Sequence, residues 1–213
     1  MKTIHFYLDF ISPYAWLAFD ALPQALEGIS HRVVFKPVVF GAMLKHHGQL
    51  GPAEIPSKRD WTYRQVQWQA RAQGTPLQLP ASHPFNSLAL LRLATACDAD
   101  GTPNRFVCDK IFRHVWCTGQ DAADAERLAA LNADLKPTGD VASDAVKQQL
   151  KAHTDEAIAL SLFGVPSLVV DGQVFWGNDA LPMLRAYLQG DPWFQSADWT
   201  DVAEVPVGVR RKG

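Results

Sequence analysis

Three short segments hold the side chains with chemical potential: Ser12-Pro13 at the end of the apolar run FYLDFI, Gly164-Val165-Pro166-Ser167, and Trp176-Gly177-Asn178-Asp179. A Ser-Pro pair opening a helix places a side-chain oxygen at the N-cap and a residue without an N–H where none is needed. The free amides and the dipole of such a terminus favour an anion. A cysteine there would be a redox thiolate, but no Cys-x-x-Cys occurs in the chain, so dithiol exchange has no reagent. The Ser12 hydroxyl can still donate a hydrogen bond to a thiolate brought from outside. The alternative is that Ser12 is an N-cap and nothing more.

The second segment stands immediately before the apolar run LVV. Proline denies the ladder one hydrogen bond, and a cis Val165-Pro166 bond would turn the neighbouring backbone toward a ligand. Val165 would then offer its N–H and C=O to an extended peptide, as in strand addition. The plainer alternative is a C-cap glycine followed by proline. In the third segment, Asn178 or Asp179 is expected to cap the final helix, and an acid at that point also suits an ammonium group.

Other candidates are more dispersed. Lys58 and Arg59, read as part of a loop, would suit a carboxylate, and Asn86 a helix cap or a ligand contact. Tyr14, Trp61 and Trp176 are candidate pocket walls, although aromatic residues are more often plain core. His46-His47, His83 and His114 show no ligand spacing with carboxylates. His114 and Cys117 are one turn apart but make only two ligands, so no metal is expected. There is no phosphate-binding glycine loop, Gly-x-Ser-x-Gly elbow or His-Glu-x-x-His.

The elements that must position these residues follow from periodicity. Residues 3–10 read as a strand, Pro13 to about Leu26 as a helix, and 31–39 as a second strand whose Pro37 argues for an edge or a bulge. A helix is expected from about Trp61, capped by Ser57 with Asp60, and others at 86–98, 104–117, 121–133 and 141–162. LVV and QVFW flank Asp171-Gly172, a hairpin signal, and a last helix covers 179–188. The two tryptophans after Gly190 are expected to pack back on the body, and the last residues to be mobile. The order is β-α-β, helices, β-β-α. It implies an α/β, thioredoxin-like domain in two pieces, 1–42 and 160–192, around an all-helical insertion at 43–159, with a tail at 193–213.

Composition is that of a compact folded protein: 213 residues, 47% hydrophobic and 20% charged, with a formal net charge of -2. The thin spread of basic residues argues against nucleic acid or a polybasic membrane surface as a partner. No apolar run reaches the roughly 18 residues that span a bilayer. Asp9 interrupts any signal-peptide core. Cys97, Cys108 and Cys117, odd in number and widely spaced, look like reduced thiols. A cytoplasmic location is expected.

Taken in order, FYLDFISPYAWLA, GPAEIPSKRD, TPLQLPASHPFNSLALLR, TDEAIALSLFGVPSLVVDG and FWGNDALPML resemble the 2-hydroxychromene-2-carboxylate isomerases. That family is close to the kappa-class glutathione transferases and more distantly related to DsbA oxidoreductases. The resemblance runs from about residue 3 to 188 and implies a glutathione-dependent, homodimeric enzyme of bacterial naphthalene breakdown. It implies Ser12 for the glutathione sulfur, Val165 ahead of cis Pro166 for its cysteinyl backbone, and Asn178 and Asp179 for its γ-glutamyl end. Lys58, with Arg59 as its rival, and Asn86 would shape the ligand site. Trp16 stands where tyrosine is commoner, Ser167 where threonine is frequent, and Ala180 where many members carry arginine, which bears on the γ-glutamyl end.

The implied reaction interconverts 2-hydroxychromene-2-carboxylate, a small aromatic carboxylate, and trans-o-hydroxybenzylidenepyruvate by reversible thiolate addition, bond rotation and elimination. Rival expectations are a kappa-like transferase that conjugates electrophiles, a thioredoxin-fold oxidoreductase, and a non-catalytic glutathione-binding protein.

Overall fold

The structure, a computed structural model, describes residues 1–209. Among them, four strands form one sheet in the order β2-β1-β3-β4: β1 (Lys2–Leu8), β2 (His31–Pro37), β3 (Ser167–Val170) and β4 (Gln173–Trp176). Helix α1 (Pro13–Ala25) joins β1 to β2, which run parallel from Lys2↔His31 to Leu8↔Pro37. Pro37 therefore ends an edge strand, where its missing N–H is harmless. Strand β3 runs antiparallel to β1, with Tyr7 opposite Ser167, and turns back through Asp171-Gly172 into β4. Asp171 and Gly172 both have positive φ, 51° and 78°, as a two-residue hairpin turn demands.

Alternation along β1 separates two cores. Ile4, Phe6 and Leu8 join Leu168 and Val170 in the main core, with Trp16, Phe19 and Leu22 of α1. Tyr7 and Val169 face the other way, onto Val38, Met43, Ala157 and Leu162. Met43 lies on α2 (Phe40–His47), a helix the sequence pattern did not announce, and Ala157 on α7 (Asp144–Ala159).

Between β2 and β3 the chain is helical: α2, α3 (Pro56–Gln73), α4 (Leu88–Ala96), α5 (Arg105–Trp116), α6 (Ala125–Leu135) and α7. The fold is thus a thioredoxin-like α/β core with an inserted all-helical segment. Helix α3 begins at Pro56 with Ile55 as its N-cap, five residues ahead of the expected start. Ser57 and Asp60 are accordingly inside the helix and do not cap it, because proline at the first position sets the start. Its inward face is Thr62, Val66 and Ala70, while Trp61 and Trp68 are 63% and 68% exposed.

The inserted helices share the main core with the sheet. Phe112 of α5 packs against Phe10 (4.8 Å), Trp16 (5.7 Å) and Phe19 (5.1 Å). The buried Trp116 indole donates to the Phe10 carbonyl at 2.9 Å, and Trp16 donates to the Pro76 carbonyl at 2.9 Å. After α8 (Leu181–Leu188) the tail folds back: Phe194 is buried against Phe175 and Tyr187, and Trp199 donates to Gln173 at 3.2 Å. Trp199 belongs to a four-residue helix, α9 (Ala197–Thr200), and Trp193 lies against both Phe194 and Trp199. The expectation for the last residues, 210–213, falls outside the described residues.

Because Phe112 touches both layers, Phe112→Ala should lower stability by about 3–5 kcal/mol. Circular dichroism and tryptophan fluorescence should still report one coincident denaturant transition. Separate transitions for sheet and helices would show two independent cores.

Candidate functional site

The end of β1 delivers the chain into a tight turn. The Asp9 carbonyl accepts from the Ser12 amide at 3.0 Å, and its carboxylate accepts from Ile11 N and Phe40 N, each at 3.1 Å. Ser87 adds a side-chain hydrogen bond to the same carboxyl. Asp9 is 1% exposed, and burial pushes its carboxyl up to about 6 even though the bonds from Ile11, Ser87 and Phe40 oppose the rise.

Ser12 is the N-cap of α1, with Pro13 at the first helical position. Its Oγ accepts from the Ala15 amide at 3.2 Å and donates to the Val165 carbonyl at 3.1 Å. Ser12 therefore caps the helix as expected, and it also touches the second segment across 153 residues of sequence. The Val165–Pro166 peptide is cis. Ser167 Oγ donates to the Gly164 carbonyl at 2.8 Å, and the Gly177 amide donates to the Pro166 carbonyl at 3.0 Å. A Cβ on Gly164 would collide with the Trp176 indole, which lies edge-to-face with Phe163 at 4.8 Å.

The third segment departs from expectation. The turn Asn178–Ala180 is 3₁₀, the N-cap of α8 is Ala180, and neither Asn178 nor Asp179 caps the helix. Pro182 explains why: a proline in the first turn requires no cap acceptor for its own nitrogen. Asn178 is instead 5% exposed. Its Nδ2 reaches Gln69 Oε1 of α3 at 3.5 Å, and its Oδ1 is buried without a partner. Asp179 is exposed beside it. Both line an open cleft of about 490 Å³ between α1, α3 and α8, with Gln69, Trp68 and Gln24; Ser12 and Val165 are not in its wall. Arg185, also in the wall, donates to the Ala25 and Glu27 carbonyls at 2.7 and 3.0 Å, completing the end of α1.

Lys58 and Arg59 sit in the first turn of α3, not in a loop, and both are exposed. Arg59 Nε donates to the Tyr63 hydroxyl at 3.2 Å. Tyr14, in the first turn of α1, donates to Gln65 of α3 at 2.8 Å, and burial raises its pKa. Asn86 accepts from the Leu88 amide at 3.0 Å, so it closes the turn into α4. Trp176 is 52% exposed and Trp61 projects outward from α3.

The structure thus joins Ser12 directly to Val165, next to cis Pro166, and ties Asn178 to α3. Asp9, Tyr63, His83 and Gln69 were not assigned a role from sequence. Asp9 was the one acid within FYLDFI, and that interruption of an apolar run was the available signal.

Residues 3–189 match the DSBA-like thioredoxin domain. The chain belongs to that family. It is 29% identical over 196 residues to the 2-hydroxychromene-2-carboxylate isomerase of Sphingobium xenophagum, covering 88% of this chain and 98% of the relative. It is 22% identical over 211 residues to the kappa 1 glutathione S-transferase of Rattus norvegicus, covering 90% and 92%. A solved 2-hydroxychromene-2-carboxylate isomerase shares the fold with a TM-score of 0.75 at 24% identity, over 93% of this chain and 99% of that one. The chain is homologous to both groups.

Within this family member, no cysteine stands near the α1 N-terminus. Cys108 is buried in α5, Cys97 and Cys117 are half-buried, and burial raises all three thiols. That is the opposite of what a redox thiolate needs. Among the described residues, no helix is long and apolar enough to cross a membrane.

The Asp9 environment makes a pH prediction. Its folded pKa lies above the ordinary aspartate value of 3.8, so the folded state holds the proton more tightly and loses stability as pH rises from about 4 through 6. Asp9→Asn removes that dependence. The wild type should therefore lose up to about 3 kcal/mol relative to the variant between pH 4 and 7 in denaturant unfolding. A constant difference across that range would mean the carboxyl is not shifted.

Proposed function

We propose that this chain is a glutathione-dependent enzyme acting on a conjugated aromatic carboxylate, and specifically that it interconverts 2-hydroxychromene-2-carboxylate and trans-o-hydroxybenzylidenepyruvate or a close analogue. The observation that carries the reading is the 3.1 Å hydrogen bond from Ser12 Oγ, at a helix N-terminus, to the carbonyl of Val165 ahead of cis Pro166. A hydroxyl with one hydrogen, the helix terminus it caps and a backbone carbonyl meet there, and none of the three cysteines lies on α1 or the turn before it.

The site residues fit glutathione in a definite way. The buried Asn178 Oδ1 lacks a donor, and the Asp179 carboxylate stands exposed beside it, which suits the γ-glutamyl ammonium. The Val165 carbonyl suits the cysteinyl N–H, and accepting it frees the Ser12 hydrogen for the sulfur. Ser12 then donates to the thiolate while the first amides of α1 add their partial positive charge. When bound, glutathione supplies a thiolate that adds to the conjugated double bond, allows rotation and leaves again unconsumed. Arg59, whose recorded bond to Tyr63 uses only Nε, is the stronger candidate to hold the substrate carboxylate through its terminal nitrogens, with Lys58 beside it. Tyr14, Trp61 and Trp176, the last backed by Phe163, would bound the aromatic body.

In this reading residues 1–42 and 160–192 carry the thiol side of the site and 43–159 the aromatic side. The homodimer and the cytoplasmic location belong to the same proposal.

The test is spectrophotometric interconversion of the chromene and the pyruvate with and without glutathione, followed by thiol titration. Turnover should require glutathione and return all of it. Consumption of thiol would instead identify a kappa-like transferase, and full turnover by dialysed protein would refute the cofactor. Ser12→Ala should slow conversion by roughly 10-fold or more, since about 1.4 kcal/mol of transition-state stabilisation is a factor of ten. An unchanged rate would remove Ser12 from its role.

A further inference from the structure

The peptide unit entering Ser12 is held at both ends. Its hydrogen, the Ser12 amide, points to the Asp9 carbonyl at 3.0 Å. Its oxygen, the Ile11 carbonyl, meets His83 Nε2 at 2.8 Å. A carbonyl only accepts, so Nε2 carries the hydrogen and Nδ1 of the neutral ring must accept. The Tyr63 hydroxyl lies 2.8 Å from Nδ1 and supplies the donor. Tyr63 oxygen in turn accepts from Arg59 Nε at 3.2 Å. Every bond in the chain has a single consistent direction: Arg59 to Tyr63 to His83 to the Ile11 carbonyl.

We propose that His83 is a positioning residue for Ser12, and that the Arg59–Tyr63–His83 chain makes the placement of the Ser12 hydroxyl depend on whether a carboxylate is seated on Arg59. This deepens the proposed function and rests on its claim that Ser12 receives the glutathione thiolate. The mechanism is rotational. Turning the Ile11–Ser12 peptide plane alters the backbone torsions on either side of it, and with them the direction of Ser12 Oγ relative to the α1 amides. His83 blocks that turn for as long as Nε2–H donates.

The surroundings keep the ring in the required form. Facing His83 are Tyr63 and Arg59 from α3, the Ile11 carbonyl, the Trp116 ring of α5 at 5.5 Å and the Phe85 ring at 6.1 Å. Burial is the largest influence and lowers the His83 pKa; the Ile11 bond raises it and the Arg59 charge lowers it again. The neutral ring therefore prevails at pH 7. Protonation would make Nδ1 a donor and force Tyr63 to turn its hydrogen elsewhere, for which the His83 carbonyl at 3.2 Å is the acceptor at hand. A carboxylate seated on Arg59 weakens the charge that acts on His83 and draws the guanidinium away from Tyr63. Occupancy of the carboxylate position is thereby felt at the thiol position.

The test uses the full chain with glutathione. Ultraviolet thiolate absorbance against pH reports the thiol pKa of bound glutathione, and calorimetry reports its affinity. His83→Leu should raise the bound thiol pKa by about one unit, a tenfold loss of thiolate below that pKa. His83→Gln, which keeps an N–H donor for the Ile11 carbonyl, should restore most of the shift, an outcome that side-chain bulk alone does not produce. Tyr63→Phe leaves the His83 ring in place and guards against misfolding of the first variant. Histidine NMR of that variant should show the His83 titration displaced from its wild-type position, with a smaller rise of the thiol pKa. A wild type that binds glutathione with a depressed thiol pKa left unmoved in His83→Leu and Tyr63→Phe overturns the His83 assignment alone. A wild type that does not bind glutathione overturns the thiolate reading and this inference with it.

Discussion

One hydroxyl joins the two separated pieces of the thioredoxin-like core. Ser12 comes four residues after the end of β1 and Val165 two residues before the start of β3, and their 3.1 Å contact exists only because these strands pair with Tyr7 opposite Ser167. A one-residue slip would reverse which side chains face the main core, turning Leu168 and Val170 toward the second core and Val169 toward the first. The packing of Ile4, Phe6 and Leu8 against Leu168 and Val170 therefore sets the site as well as the fold. Gly164 and Gly177 serve the same junction. The first leaves space for the Trp176 indole, and the second, at φ 96°, turns β4 into the segment that carries Asn178.

The inserted helices complete what the sheet leaves open. Beyond Leu8 the backbone has left the β1–β2 register, so the carbonyls of Phe10 and Ile11 need donors from elsewhere. Trp116 of α5 satisfies the first and His83 the second. Asp9 gathers Phe40 N from α2 and the Ser87 side chain just ahead of α4. Four parts of the chain between β2 and β3 thus converge on three residues, Asp9 to Ile11. A loop of that length with buried polar atoms would be costly alone; here each contact found stabilises a group that burial would otherwise penalise.

The order of elements was legible because long periodic segments and the Asp171-Gly172 turn are local signals. So was the pairing of Ser12 with Val165-Pro166, since element order alone brings those segments together. Lost were features that depend on contacts remote in sequence. Helix α2, eight residues with Val39 as an N-cap lacking a side-chain bond, has little local signature and is fixed by Met43 packing against the second core. The start of α3 was misplaced because Ser57-x-x-Asp60 mimics a cap while Pro56 acts first. Asn178 resembled a cap by position, yet its amide turns to Gln69, 109 residues away, a partner that no spacing rule names. His83 looked like an unpaired histidine because Tyr63 and Ile11 reach it only in three dimensions.

The turn from β1 into α1 divides its donors between two acceptors, the Asp9 carboxyl and the Ser12–Val165 junction. The Asp9 carboxylate draws on the Ile11 and Phe40 amides and on Ser87, while the Ser12 hydroxyl donates to the Val165 carbonyl and its oxygen takes the Ala15 amide. The donor sets do not overlap, so neither acceptor is satisfied at the expense of the other. Burial acts on the first of these: Asp9, 1% exposed, has its carboxyl pushed up to about 6. A serine in place of a cysteine leaves the helix terminus with donors and no reagent. On the proposed glutathione reading, the Val165 carbonyl must release the Ser12 hydrogen before an external sulfur can take it, and the cysteinyl N–H of the ligand is the donor that makes that exchange even.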